Sequence, residues 1–134
     1  LTVSFTIQGK LANLNDYTCA NRRNKYAGAQ MKGQAEHVII GAIQSQIHNV
    51  HFTMPVMMCY TWIEKDKRRD KDNIAFARKF IQDALVKTGV LKNDGWDYIE
   101  GFTDRFSVDK KNPRIIVEIT DGLPDKALER MGLK

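Results

Sequence analysis

Two acids stand two residues apart in Arg69-Asp70-Lys71-Asp72-Asn73, with Lys65, Lys67, Arg68, Arg69 and Lys71 crowded around them. Carboxylates kept only for solubility need no such surroundings. Carboxylates that hold a divalent cation beside a phosphate do, because basic neighbours draw in the polyanion while the acids hold the metal. A further carboxylate, Asp94, follows in the turn Asn93-Asp94-Gly95.

The stretch between these acids predicts a helix from Asn73 to about Lys87. Ile74, Ala77, Phe80, Ile81, Ala84 and Leu85 recur at three- and four-residue steps, the pattern of a helix packed by one face. At ~100° per residue, Asp72, Lys79 and Asp83 fall on one line down the other side, with Phe76 at its edge. The residues themselves support a second reading. Asp72 caps the helix by accepting from first-turn amides, and Lys79 with Asp83 forms a solvated i,i+4 pair contributing about 0.2–0.5 kcal/mol. A calcium loop of the EF-hand type is excluded. Counted from Asp70, the sharp-turn position holds Ala75 instead of Gly, and the terminal bidentate position holds Ile81 instead of Glu.

Taken together, Arg69-Asp70-Lys71-Asp72-Asn73, Lys79, Asp83-Ala84-Leu85 and Asn93-Asp94 resemble the signature of RusA-type Holliday junction resolvases, here in a phage- or prophage-like form. Leu14-Asn15 extends the resemblance towards the start of the chain. The resemblance implies a small homodimeric, Mg²⁺-dependent endonuclease, with Mn²⁺ as a substitute ion. It implies Asp70, Asp72 and Asp94 as the metal-binding catalytic acids and Lys79 as the catalytic lysine. Some members carry that lysine three residues nearer the acids, where this chain has Phe76, so Ile74-Ala75-Phe76 reads as a one-turn insertion. The implied products carry a 5′-phosphate and a 3′-hydroxyl. Symmetric resolution of a four-way junction takes two nicks related by a two-fold axis, which a C₂ dimer provides.

Composition agrees with an anionic partner. The chain has 134 residues, 43% of them hydrophobic, and a net charge of +5. That is enough for one domain, residues 1–134, with a real core. Lys65, Lys67, Arg68, Arg69 and Lys71 are candidate contacts to the junction arms, giving affinity with little base readout. Arg22 and Arg23, interleaved with Tyr17 and Tyr26, form a second candidate DNA-binding segment; the alternative is a solvated helix whose tyrosines tuck back onto the domain. Three scattered histidines and two isolated cysteines, Cys19 and Cys59, suit neither a zinc site nor a disulfide framework. No apolar run approaches the ~20 residues of a membrane span and no signal peptide is visible, so the expectation is a cytoplasmic protein with no membrane partner.

The elements that must position these residues follow from periodicity. Thr2–Gln8 alternates as a half-buried strand ended by Gly9, and Leu11–Asn15 turns the chain. Tyr17–His48 is helical, interrupted before Ala27-Gly28. Thr53–Glu64 is a strand apolar on both faces, which places it inside its sheet or under a second subunit; its apolar outer face is a candidate dimer surface, with ordinary core as the alternative. Trp96–Val108, irregular at Gly101, and Arg114–Thr120 close the chain as a hairpin around Asp109–Pro113, and the tail from Leu123 holds a short helix with a disordered end. The order β-α-β-α-β-β gives an α+β fold, a mixed β-sheet with helices packed largely on one face. Beside junction resolution, two other functions fit these residues: a flap, replication-fork or general branched-DNA nuclease, and a branched-DNA binding protein that does not cut.

Overall fold

A strand with apolar side chains in both parities has no face to offer water and must lie inside its sheet. The computed structural model, which describes residues 1–133, gives that inner place to Val56–Glu64, leaving Thr53–Pro55 of the expected strand outside the sheet. The elements are β1 (Thr2–Gln8), α1 (Leu14–Arg23), α2 (Lys25–Gln46), β2 (Val56–Glu64), α3 (Lys71–Ala75), α4 (Arg78–Lys87), β3 (Ile99–Val108), β4 (Arg114–Asp121) and α5 (Asp125–Arg130). Four strands form one mixed sheet in the order β1-β4-β2-β3. β2 is parallel to β3 and antiparallel to β4, which is itself antiparallel to β1. This is the α+β architecture expected from the pattern.

Val56, Met58, Tyr60 and Trp62 are each at most 1% exposed, so these four are ordinary core and carry no dimer surface. Together with Phe5, Ile7, Ile115, Val117 and Ile119 they meet Ile39 and Ile43 of α2 and Phe80, Ile81, Ala84 and Leu85 of α4. Burying one such side chain contributes roughly 1.5–3 kcal/mol, so this layer dominates the stability of the fold. α2 and α4 thus share one face of the sheet, whereas Leu128 of α5 lines a small cavity with Met57, whose side chain points to the other face. The short tail helix expected from sequence is α5. The disordered end expected at Lys134 lies outside the described residues.

The helices begin and end where side chains satisfy their free amides. Asn13 and Asp16 form a reciprocal capping box at the start of α1, with bonds of 2.8 and 3.2 Å. Asn24 then serves two helices: its amide donates to the Ala20 carbonyl at the end of α1, while its side chain accepts from Ala27 N at 2.8 Å to start α2. The interruption expected before Ala27-Gly28 therefore falls at Asn24. Gly89, at φ +79°, closes α4 in the left-handed conformation that glycine adopts without strain. At the far edge of the sheet, the Gln46 side chain bonds both the N–H and the C=O of Thr6 in β1 at 2.8 Å each.

Three expectations are corrected. The helix expected from Asn73 to Lys87 starts at Lys71 and is broken between α3 and α4, where Ala77 N donates to Ile74 O and Lys79 N to Phe76 O, three residues back. Such tight turns reset the helical phase, which interrupts the line drawn from Asp72 through Lys79 to Asp83. The closing hairpin does not form, because β2 lies between β3 and β4 and pairs with both. Among the described residues, β2 is the only strand apolar on both sides, so it displaces the direct pairing of the last two strands. Finally, β3 starts at Ile99 instead of Trp96, which stands in the preceding turn; the irregularity expected at Gly101 is a register shift, with Val56 opposite Ile99 and Met57 opposite Gly101.

Tyr60 lies at the centre of this core. Its hydroxyl accepts from Gln82 Nε2 at 3.1 Å and donates to Met58 Sδ at 3.4 Å. Burial holds the phenol well above its ordinary value near 10, against the opposing pull of the Gln82 bond. The unfolded chain releases that proton first, so folding stability falls as pH rises past about 10. Urea unfolding at about pH 8 and about pH 10.5 should show this fall in the native protein, and a smaller one in Tyr60→Phe, which has no proton to lose there.

Candidate functional site

β2 and β3 run parallel and finish together. Glu64 pairs with Val108, and the Asp109 amide donates to the Glu64 carbonyl at 2.8 Å. Beyond the carboxyl ends of parallel strands the outgoing segments diverge, and crevices open there. In this chain the charged segment 65–70 leaves β2 for α3 while β3 turns towards β4. The resulting cleft, about 960 Å³, is lined by Glu64, Asp66, Lys67, Arg69, Asp70, Lys71, Asp72 and Ile74 from one segment and by Phe106, Ser107 and Val108 from the other. Four acids and three bases share that lining, a mixture able to receive a cation and a polyanion together.

The two acids of the motif are not consumed by the fold. Asp70 occupies the cap position of α3, yet its side chain caps nothing. Its carboxylate makes no hydrogen bond or ion pair among the described residues. Asp72 lies inside the first turn, where one oxygen accepts from the neighbouring Asn73 amide at 2.9 Å. The helix cap considered for Asp72 is therefore not its role. Both carboxylates are exposed and retain open lone pairs.

The bases divide into those facing solvent and one turned inward. Lys65, Lys67, Arg68 and Lys71 are exposed. Arg68 is drawn to Asp66 at 3.6 Å, and the Lys71 ammonium lies 5.6 Å from the centre of the Phe106 ring. Arg69, only 16% exposed, donates from Nη2 to the Leu11 carbonyl at 3.2 Å and keeps Nε 3.3 Å from Glu64. Arg69 thus ties the start of the charged segment to the loop before α1, which makes it a structural cation first.

Asp94 and Lys79 stand apart from the cleft lining. The Lys79 ammonium lies 3.4 Å from Asp83 and 4.0 Å from Asp94, and Lys32 of α2 approaches Asp83 at 3.4 Å. Glu36, buried in α2, pairs with Lys87 and lies 3.9 Å from Lys32. An alternating series of charges therefore runs along the α2–α4 seam and ends at Asp94. Among the described residues, no three His, Cys, Asp or Glu side chains stand together as a group able to hold a metal. Asp70 and Asp72 line the same cleft with hard oxygen donors, which suit Mg²⁺, an ion that binds through one or two carboxylates and keeps its remaining waters.

Arg22 and Arg23 occupy the exposed last turn of α1, where cations also complement the helix dipole. Their two tyrosines behave differently. Tyr17 packs on Phe76 and Phe80, both at 5.6 Å between ring centres, so it belongs to the core. Tyr26 is open to solvent with Lys25 5.4 Å from its ring centre.

Sequence reasoning missed the far wall of the cleft, because Phe106–Val108 reaches it only through the parallel pairing of β3. It also missed the contact that holds β3 to α4. Asp104 accepts from Trp62 Nε1 at 2.8 Å and pairs with Arg78, whose guanidinium stacks 4.2 Å from the centre of Phe102. No local signal joins residues 26 and 42 positions apart. No protein-family model matches this chain, and no curated protein matches it.

The contrast between the neighbouring arginines is measurable. Arg69→Ala leaves Glu64 without its partner in a largely buried setting and should lower stability by about 1–3 kcal/mol in urea unfolding. Arg68→Ala, at the surface, should stay within about 0.5 kcal/mol of the native protein.

Proposed function

We propose that the chain is a Mg²⁺-dependent structure-specific endonuclease for branched DNA, with the four-way junction as its substrate. The observation that supports this is the cleft beyond β2 and β3, where Asp70 and Asp72 keep free oxygens among Lys67 and Lys71. The resemblance of the surrounding motif to RusA-type resolvases points the same way. Asp70 and Asp72 are the residues that would hold the ion, and Mn²⁺ has the same preference for oxygen donors. Mg²⁺ supplies the charge neutralisation and water activation that phosphodiester hydrolysis needs. Lys65, Lys67, Arg68 and Lys71 contact the phosphate backbone and set the register of the strand. The resemblance gives Lys79 the role of a positive charge on the phosphate or the leaving oxygen; within one chain it stands outside the cleft lining, beside Asp83 and Asp94. The resemblance adds Asp94 to the metal-binding acids; within one chain its neighbour is Lys79. Paired symmetric nicks require two such clefts about a two-fold axis, hence a homodimer.

One observation favours a second reading. The three acids of the motif do not form one cluster within the chain, which suits a branched-DNA binding protein that does not cut. A nuclease for flaps or replication forks would use the same cleft. Incubation of four-way junction, fork, flap and duplex with the protein and Mg²⁺ separates all three. Junction resolution predicts symmetric nicks in the first substrate and little action on the duplex. Binding without nicking of any substrate supports the second reading.

Aspartate-to-asparagine variants separate cutting from binding. Asp70→Asn and Asp72→Asn each keep the side-chain shape while removing a negative ligand, so cleavage should fall by orders of magnitude. Junction affinity without metal should hold or tighten, because a negative charge near the phosphates has gone. Asp83→Asn, whose carboxylate serves Lys32 and Lys79, should cut far better than either. Loss in Asp94→Asn as deep as in Asp70→Asn makes Asp94 a third metal acid, and a mild loss leaves it as the partner of Lys79. Cleavage at the native rate by both well-folded Asp70→Asn and Asp72→Asn would sink the proposal.

Salt provides a separate check on the surface. Junction affinity should fall with a log–log slope near −0.9 per phosphate neutralised, and Lys67→Ala, Arg68→Ala and Lys71→Ala should each flatten it by about one such step. Unchanged slopes in all three variants would remove these residues from the DNA contact.

A further inference from the structure

The chain has two tryptophans with opposite fates. Trp62 is 1% exposed in the core, and Trp96 is 99% exposed. A large indole left wholly in water is unusual, since tryptophan is highly buried on average. Nor does looseness of the backbone account for it. Asn93 Oδ1 accepts from Gly95 N at 2.7 Å, and the Gly95 carbonyl accepts from the amides of Tyr98 and Ile99 at 3.1 Å each. The Tyr98 carbonyl in turn accepts from Val56 N at 2.9 Å, which fastens the turn to the first residue of β2. A pinned backbone therefore holds the indole out into solvent.

The surroundings select what it meets. Protein partners bury tryptophan at the centre of an apolar patch ringed by neighbours that exclude water. Trp96 has Gly95 and Asp97 beside it, both exposed, and lacks that ring. Stacking on a nucleobase asks for less: one aromatic face, with cations in reach of the backbone. Lys92 is exposed in the same turn, and Lys79 lies 4.0 Å from Asp94, two residues before the indole. Lys79 offsets the charge of Asp94.

We propose that Trp96 is a base-stacking residue, its indole stacking on a base face that branched DNA leaves open, at the end of β2 away from the cleft. Resting on the nuclease reading above, this assigns the Asn93–Trp96 turn to recognition of branched over continuous duplex. A stack onto an exposed base is sequence-tolerant, because every base offers a π-face.

Intrinsic fluorescence tests this in the full chain without metal, because Trp62 contributes a buried, constant background. Four-way junction and a duplex with a short unpaired gap should quench the water-exposed emission of Trp96, and a continuous duplex should quench it little. With fluorescently labelled DNA in an anisotropy titration, Trp96→Ala should weaken binding to the first two by roughly tenfold to a hundredfold, and to the continuous duplex by less than about twofold. Trp96→Phe should recover most of that loss. Binding with unchanged emission, and equal affinity in Trp96→Ala, would overturn the proposal while leaving the nuclease reading intact. No binding to any of the three DNAs overturns both. Emission that moves to the blue as protein concentration rises, with no DNA present, shows a second copy covering the indole and also overturns it.

Discussion

Everything in this fold follows from the two-sided burial of β2. A strand that must be covered above and below cannot lie at an edge, and here it takes β4 on one side and β3 on the other. Its inward side chains receive α2 and α4, and its carboxyl end falls beside that of β3. Segment 65–72 is thereby delivered to a fixed place at the rim of a rigid sheet. Side chains held by strand ends and short helices keep their geometry better than those on long loops. The charged segment inherits its order from the least polar part of the chain.

The carboxylates of the seam and those of the motif differ in what surrounds them. Asp83, Glu36 and Asp94 lie in the α2–α4 seam, each within 4.0 Å of a lysine ammonium. Paired charges of this kind, partly solvated, contribute little net stability yet fix the register of the two helices. Asp70 and Asp72 are different, because the fold makes almost no use of their oxygens. Acids that contribute nothing to folding sit beside Lys67 and Lys71, and the attraction between them remains available to an incoming ligand. Arg69 lies between the two sets: its sequence neighbours face outward, and it faces in.

Much of this was legible in the sequence because it is local. Alternation revealed β1, a run apolar on both faces revealed β2, and periodic spacing revealed α2 and α4. The segment carrying Asp70 and Asp72 was legible too, since charge clustering is a property of adjacent residues. What could not be read depends on pairing across distance. Nothing near Phe106 shows that β3 lies parallel to β2, so the second wall of the cleft was invisible. The kink at Phe76-Ala77 has no proline or glycine to announce it; it serves the packing of Phe76 and Phe80 against Tyr17 from another helix. The inward turn of Arg69 likewise depends on Leu11, 58 residues away. Long-range partners decide such details, and a single chain of letters does not display them.

The Gln46 side chain has a consequence for how copies of this protein can meet. By bonding both polar groups of Thr6, it stands in for a neighbouring strand at the outer edge of β1. Exposed edges are templates on which sheets extend from molecule to molecule, and extension without end requires two of them. The amide of Gln46 takes both polar groups of Thr6, so an incoming strand would have to expel that side chain before it could pair along this stretch of β1.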